Sequence, residues 1–97
     1  MADGALERTF TILNKRGLHA RAANKFATTA NAFDCDIQVE RNGLSVAGRS
    51  IMGLMMLAAS TGTDITVRAT GGDAEAALNA IQALIEDKFE EDRTDEN

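Results

Sequence analysis

The sequence predicts a single α+β domain in which a four-stranded sheet, antiparallel or mixed, carries its helices on one face. Three observations lead there. Apolar and polar residues alternate in several short stretches, the period of half-buried strands. Between them lie segments whose apolar residues recur at helical spacing. Asn42-Gly43 divides two of the strand-like runs, and both central positions of a type I′ hairpin require the positive φ that this dipeptide tolerates. Ninety-seven residues, 44% of them apolar, suit one compact core.

Taken in order, Leu6 to Leu13 sets Phe10 and Ile12 against Thr9 and Thr11 and reads as a strand. Residues 14–18 form a loop. From Ala20 to Asn31, the residues Ala23, Phe26, Ala27 and Ala30 make a thin apolar stripe, narrow enough for a helix to pack closely on a sheet. Asp36 to Arg41 and Leu44 to Ala47 are the hairpin strands. Ser50 stands as N-cap before a short helix from Ile51 to Ala58, favoured by the methionines and by the lack of β-branched residues after Ile51. Asp64 to Thr70 alternates Ile65, Val67 and Ala69 with polar residues, as a strand does. Gly71-Gly72 turns the chain, Asp73 caps, and Ala74, Ala77, Leu78, Ile81, Leu84 and Ile85 form the stripe of a long last helix. The order is βαββαβα. Without its last helix, the same succession describes a ferredoxin-like domain, so periodicity alone leaves the fold open.

Charge is concentrated at one end. Residues 86–97 hold seven acids against Lys88 and Arg93, which equals the whole net charge of −5. The division expected is a domain over 1–89 and an acidic, solvated, disordered tail over 90–97. A chain without a basic surface, without Trp or Tyr and with four Phe argues against nucleic-acid binding. No apolar run is long enough to cross a bilayer and no secretory leader is evident, so a cytoplasmic protein without membrane association is expected. The single cysteine, Cys35, cannot form an internal disulfide. Asp34 and Asp36 beside it should raise the thiol's pKa and suppress its reactivity.

Two features carry chemistry. The only histidine, His19, falls in Gly17-Leu18-His19-Ala20-Arg21, where an extended stretch gives way to a helix. There it can act as N-cap, with its imidazole over the free N–H groups of the first turn, where a phosphate would also be held. Such a histidine can equally be a capping or packing residue. The second feature is the short methionine helix. Leu54, Leu57 and Ala58 gather on one side of it and Ile51, Met52 and Met55 nearly opposite, with Met56 between. One face packs on the sheet; the other is either an exposed, adaptable patch suited to partners or a set of core gap-fillers. Ser50 has a plain structural role as N-cap in either case.

Gly17-Leu18-His19-Ala20-Arg21 and Arg49-Ser50-Ile51-Met52-Gly53-Leu54-Met55 together, with the hairpin between them and Gly62-Thr63 after, closely resemble HPr. That family comprises the histidine-containing phosphocarriers of the bacterial phosphotransferase system, including its nitrogen-related branch. The likeness runs from about Thr9 to Lys88. It implies an open-faced β-sandwich, with a four-stranded antiparallel sheet covered on one face by three helices. It also implies a monomeric phosphocarrier, not an enzyme, with no cofactor and no metal. On this likeness His19 accepts a phosphoryl group on Nδ1 from enzyme I and passes it to a IIA-type protein. Arg21 stabilises the phosphate, and Ser50 is the site of regulatory phosphorylation by HPr kinase/phosphorylase where that enzyme exists. Ala20, Asn24, Arg49, Ile51, Met52 and Met55 fall on the partner-binding surface.

The chain departs from the family pattern at Ala22, where proline usually follows the active-site arginine. Proline would pre-set helical φ and remove an N–H, so Ala22 loosens the helix start slightly and adds a donor. Arg16 and Asn24 also replace smaller residues, which bears on partner preference. The chemistry needs a neutral imidazole as nucleophile, with first-turn N–H groups and the Arg21 guanidinium receiving the phosphoryl oxygens. A metal- or ligand-binding ferredoxin-like module would call for a Cys-x-x-Cys pair or a ligand-binding glycine loop, and the sequence has neither. The remaining alternative is a regulator of the nitrogen-related branch that binds targets according to its phosphorylation state and does not feed sugar uptake.

Overall fold

The computed structural model describes residues 5–90. Its elements run β1 (Ala5–Thr11), α1 (Ala20–Asn31), β2 (Asp36–Arg41), β3 (Leu44–Ala47), α2 (Ile51–Met56), β4 (Asp64–Thr70) and α3 (Ala74–Glu86), closed by one tight turn over Lys88–Glu90. The strands lie in the order β1-β4-β2-β3, and all three pairings are antiparallel.

The register sorts residues by face, as a period of two requires. Phe10 opposes Ile65, and Val39 opposes both Val67 and Val46 on the side covered by helices. On the open side Glu7 opposes Arg68 and Thr9 opposes Thr66, with an ion pair of 3.7 Å and a hydroxyl pair of 3.2 Å. Ser45 donates to Gln38 across the hairpin at 3.3 Å. Asn42 and Gly43 have φ of 53° and 83°, the two positive values a type I′ turn needs.

The core lies between this sheet and the stripes of the helices. Ala22, Ala23, Phe26, Ala27 and Ala30 come from α1, and Ala74, Ala77, Leu78, Ile81 and Ile85 from α3. The alanines let α1 approach closely, and Phe26 and Phe89 supply bulk. Arg8 lies on the helix side of edge strand β1, and its guanidinium donates to Asn79 and Gln82 of α3 at 2.9 and 3.0 Å.

Several boundaries differ from expectation. β1 ends at Thr11, yet Ile12 stays buried and continues the pairing through a bond from its N–H to Thr63 and one to its carbonyl from Gly62, both 2.8 Å. α2 stops at Met56. Ala58 turns left-handed with φ of 52° and is exposed, so it does not join Leu54 and Leu57 on the packed side. Asp73 occupies the N-cap position of α3 but makes no side-chain cap; its carboxylate accepts the Asp34 N–H at 2.8 Å, tying the α1–β2 connection to the start of α3. Of the expected acidic tail, Glu90 belongs to the closing turn and pairs with Lys25 of α1 at 3.0 Å. The rest of that tail lies outside the described residues.

Candidate functional site

The segment carrying His19 is shaped by contacts on both sides. Gly17 has φ of +66°, and a Cβ there would lie 2.4 Å from the carbonyl oxygen of Ala59, so glycine is required twice over. Leu18 is buried and donates its N–H to that same oxygen at 2.9 Å. His19 then enters α1 at the N-cap position with an extended backbone (φ −80°, ψ −177°), and its carbonyl accepts the first helical bond, from Ala23 at 2.8 Å. The half-buried imidazole makes no capping hydrogen bond, contrary to the capping geometry expected of it. The N–H groups of Ala20, Arg21 and Ala22 all precede the first helical bond and form the positive end of α1.

Arg21 is exposed. Between Arg8 and Asp34 the chain carries Lys15, Arg16, Arg21 and Lys25 and no carboxylate, a basic stretch in an acidic sequence, although Lys25 is paired with Glu90. A free helix start, an imidazole and the exposed guanidinium-bearing Arg21 two residues on form a setting for a phosphoryl group. Among the described residues no cluster of three or more His, Cys, Asp or Glu is placed to hold a metal ion.

Ser50 caps α2, its Oγ accepting the Gly53 N–H at 2.9 Å. The open question about α2 is decided by exposure: Leu54 is 0% exposed, whereas Met52 is 75%, Met56 66%, Met55 43% and Ile51 38%. The methionines therefore form a surface patch, and Met56 belongs to it. α2 packs on α1, and Asn24, Arg49 and Ile51 line one shallow depression of about 310 Å³ together with Ala27, Thr28 and Asn31. Ala20 is exposed at the head of α1 and does not line it. Arg49 is held rather than free: its guanidinium donates to the carbonyls of Phe33 and Cys35 at 3.4 and 3.0 Å.

A family model described as the PTS HPr component phosphorylation site matches residues 6–87. The chain belongs to the HPr family. It is 48% identical over 86 residues to phosphocarrier protein NPr of Shewanella violacea, covering 89% of this chain and 94% of that one. It is equally 48% identical over 86 residues to phosphocarrier protein HPr of Neisseria meningitidis serogroup A, covering 89% and 97%. Among solved structures, HPr of Thermoanaerobacter tengcongensis superposes with a TM-score of 0.84 at 45% identity, covering 87% of this chain and 94% of that one. HPr of Bacillus anthracis gives 0.80 at 42%, covering 84% and 96%. The protein is thus an HPr-type phosphocarrier of the phosphotransferase system and not a catalyst, and the open-faced sheet under three helices is the HPr fold. Among the described residues no helix is long and apolar enough to cross a membrane.

The Cys35 thiol is pushed up, as its acidic neighbours led one to expect, but burial is the first cause; Asp73 adds to it, Arg49 opposes it, and the sequence neighbours Asp34 and Asp36 contribute less. Asn14, not singled out from the sequence, is fully buried beside the His19 loop. A signal for it existed: Asn14 continues the two-residue period of the buried Phe10 and Ile12 beyond the end of the strand.

Proposed function

We propose that His19 is the phosphoryl acceptor of this carrier, taking the group from phosphorylated enzyme I and giving it to a IIA-type protein. The observation that carries the reading is His19 at the N-cap of α1 with the ring uncommitted to capping, ahead of three N–H groups that lack helical partners. A lone pair on the imidazole, assigned to Nδ1 by family likeness, attacks phosphorus. The His19 N–P bond forms as the donor's bond to phosphorus breaks, and the onward transfer reverses those roles. The phosphoryl oxygens accept hydrogen bonds from the N–H groups of Ala20, Arg21 and Ala22 and from the Arg21 guanidinium. An exposed, lightly clamped group suits a carrier, which must release what it binds.

Ala20, Asn24, Arg49, Ile51, Met52 and Met55 serve as the docking surface in this proposal. Flexible methionines adapt to more than one partner. Ser50 is the regulatory site, because phosphate added at the α2 N-cap would border that apolar patch. The protein works in the cytoplasm as a monomer. Identity to a relative named NPr equals identity to one named HPr, so the nitrogen-related regulatory role stands as the second reading.

The test is a transfer assay with phosphoenolpyruvate, enzyme I and the full chain. The chain should acquire acid-labile phosphate and lose it when a IIA-type protein is added. Label that never forms, or that stays on the chain, would overturn the carrier reading. Faster transfer to a nitrogen-type IIA protein than to sugar-specific ones would select the regulatory branch.

A further inference from the structure

Asn14 is the only buried polar residue among the described residues. The strand period that buries Phe10 and Ile12 carries its side chain inward, at the point where β1 has already ended. Its Nδ2 donates to the Gly17 carbonyl at 2.8 Å, and its own main-chain carbonyl accepts the Gly17 N–H at 3.2 Å. A carbonyl oxygen can only accept, so the amide orientation is fixed with nitrogen toward Gly17. Asn14 therefore grips both polar groups of the one residue whose left-handed backbone bends the chain into the site.

The Gly17 carbonyl has a second donor, the His19 N–H at 2.9 Å. That bond turns the His19 N–H back into the loop and sets the peptide from which the imidazole projects. The next three N–H groups remain for an incoming anion. Packing alone does not explain the asparagine, because its Oδ1 is buried with no hydrogen-bond partner among the described residues, an arrangement an apolar side chain would avoid.

From this geometry we infer that Asn14 is a positioning residue for His19: through the Gly17 carbonyl it fixes the histidine peptide, and thereby the ring, in line with the start of α1. The inference rests on His19 being the phosphoryl acceptor. Asn14 acts through Gly17, whose carbonyl it shares with the His19 N–H.

The test compares Asn14→Ala and Asn14→Asp with Val67→Ala, a core truncation in the middle of the sheet, at a temperature where all are folded. Transfer from phosphorylated enzyme I is measured as kcat and KM, and the resonances of the single imidazole are recorded by NMR without any partner. Both Asn14 variants should lower kcat on the order of tenfold, with KM within about twofold, and should move the ring resonances. Val67→Ala should leave kcat and the resonances at their wild-type values whatever its melting temperature. If Asn14→Ala melts below the assay temperature, Asn14→Ser takes its place. Wild-type kcat or unmoved ring resonances in the Asn14 variants would overturn the inference and leave Asn14 as a packing residue. If the wild-type chain takes no phosphoryl group, the acceptor reading fails, while the resonances still decide whether Asn14 sets the ring.

Discussion

Gly17 and Ala59 meet backbone to backbone: the Ala59 carbonyl that accepts the Leu18 N–H at 2.9 Å would lie 2.4 Å from any Cβ placed on Gly17. The His19 loop is thus docked on the segment after α2. Gly17→Ala must either abandon the left-handed φ or push the two segments apart. Left-handed strain and forced overpacking together should cost about 2–4 kcal/mol, read by urea unfolding. Phosphoryl transfer should fall in the same variant even at temperatures where it is folded. Wild-type stability in Gly17→Ala would show that this docking is not required.

Ser50 separates folding from docking. Ser50→Ala loses the bond to the Gly53 N–H and should lower stability by about 1 kcal/mol. Ser50→Asp keeps an acceptor at the cap and adds charge at a helix N-terminus, so its melting temperature should equal or slightly exceed that of wild type. The charge also borders the exposed Ile51, Met52 and Met55, where docking requires desolvation. Transfer from enzyme I to Ser50→Asp should be slower through weaker association, and added salt should narrow the gap. Unfolding of the variant, or wild-type transfer at low salt and low partner concentration, would defeat the proposed switch.

Midway along α1, Lys25 reaches the carbonyl of Phe89 at 3.2 Å and the carboxylate of Glu90 at 3.0 Å. The pair is partly solvated, so Lys25→Met should change stability by only about 0–1 kcal/mol. Phe89 is fully buried, and Phe89→Ala should cost about 3–5 kcal/mol. Chemical denaturation of the two variants checks the order. A larger loss for Lys25→Met would place the hold on the C-terminal turn in the ion pair rather than in the core.

Local chemistry made much of this fold legible and non-local contacts account for what was not. Asn42-Gly43 dictates its own turn, and the alanine stripe of α1 and the aliphatic stripe of α3 mark their buried faces by spacing alone. The placement of β4 between β1 and β2 depends on which distant strands meet, and alternation within one strand carries no record of that. Asp73 has the right residue type and position for a cap, but the nearby Asp34 N–H takes its carboxylate. Lys88, Phe89 and Glu90 all adopt positive φ, between 54° and 62°, in a sequence without glycine there, because burial of Phe89 and the grip of Lys25 override local preference. At the site, the histidine's place at the head of α1 was readable from Gly17 to Arg21. The contacts that bend its loop come from Ala59, more than thirty residues away, and from Asn14, whose parity with Ile12 was the one local clue.

Arg21 is exposed and makes no hydrogen bond or ion pair among the described residues, so Arg21→Ala should alter stability by less than about 0.5 kcal/mol. Transfer both onto and off the chain should slow. Loss of one charge-assisted bond to the moving phosphoryl group is worth about 1.5–3 kcal/mol, roughly ten- to a hundredfold in rate. A marked fall in melting temperature with unchanged kinetics would make Arg21 a structural residue.

The central claim is that one imidazole carries the phosphoryl group, and locating the label tests it most directly. Wild type and His19→Ala are incubated with phosphoenolpyruvate and enzyme I, and the phosphorylated residue is identified by mass spectrometry and by its lability in acid. Wild type should carry a single acid-labile phosphate at His19. His19→Ala should remain folded and take up none; acid-labile phosphate on that variant, or on any other residue of the wild-type chain, would contradict the account.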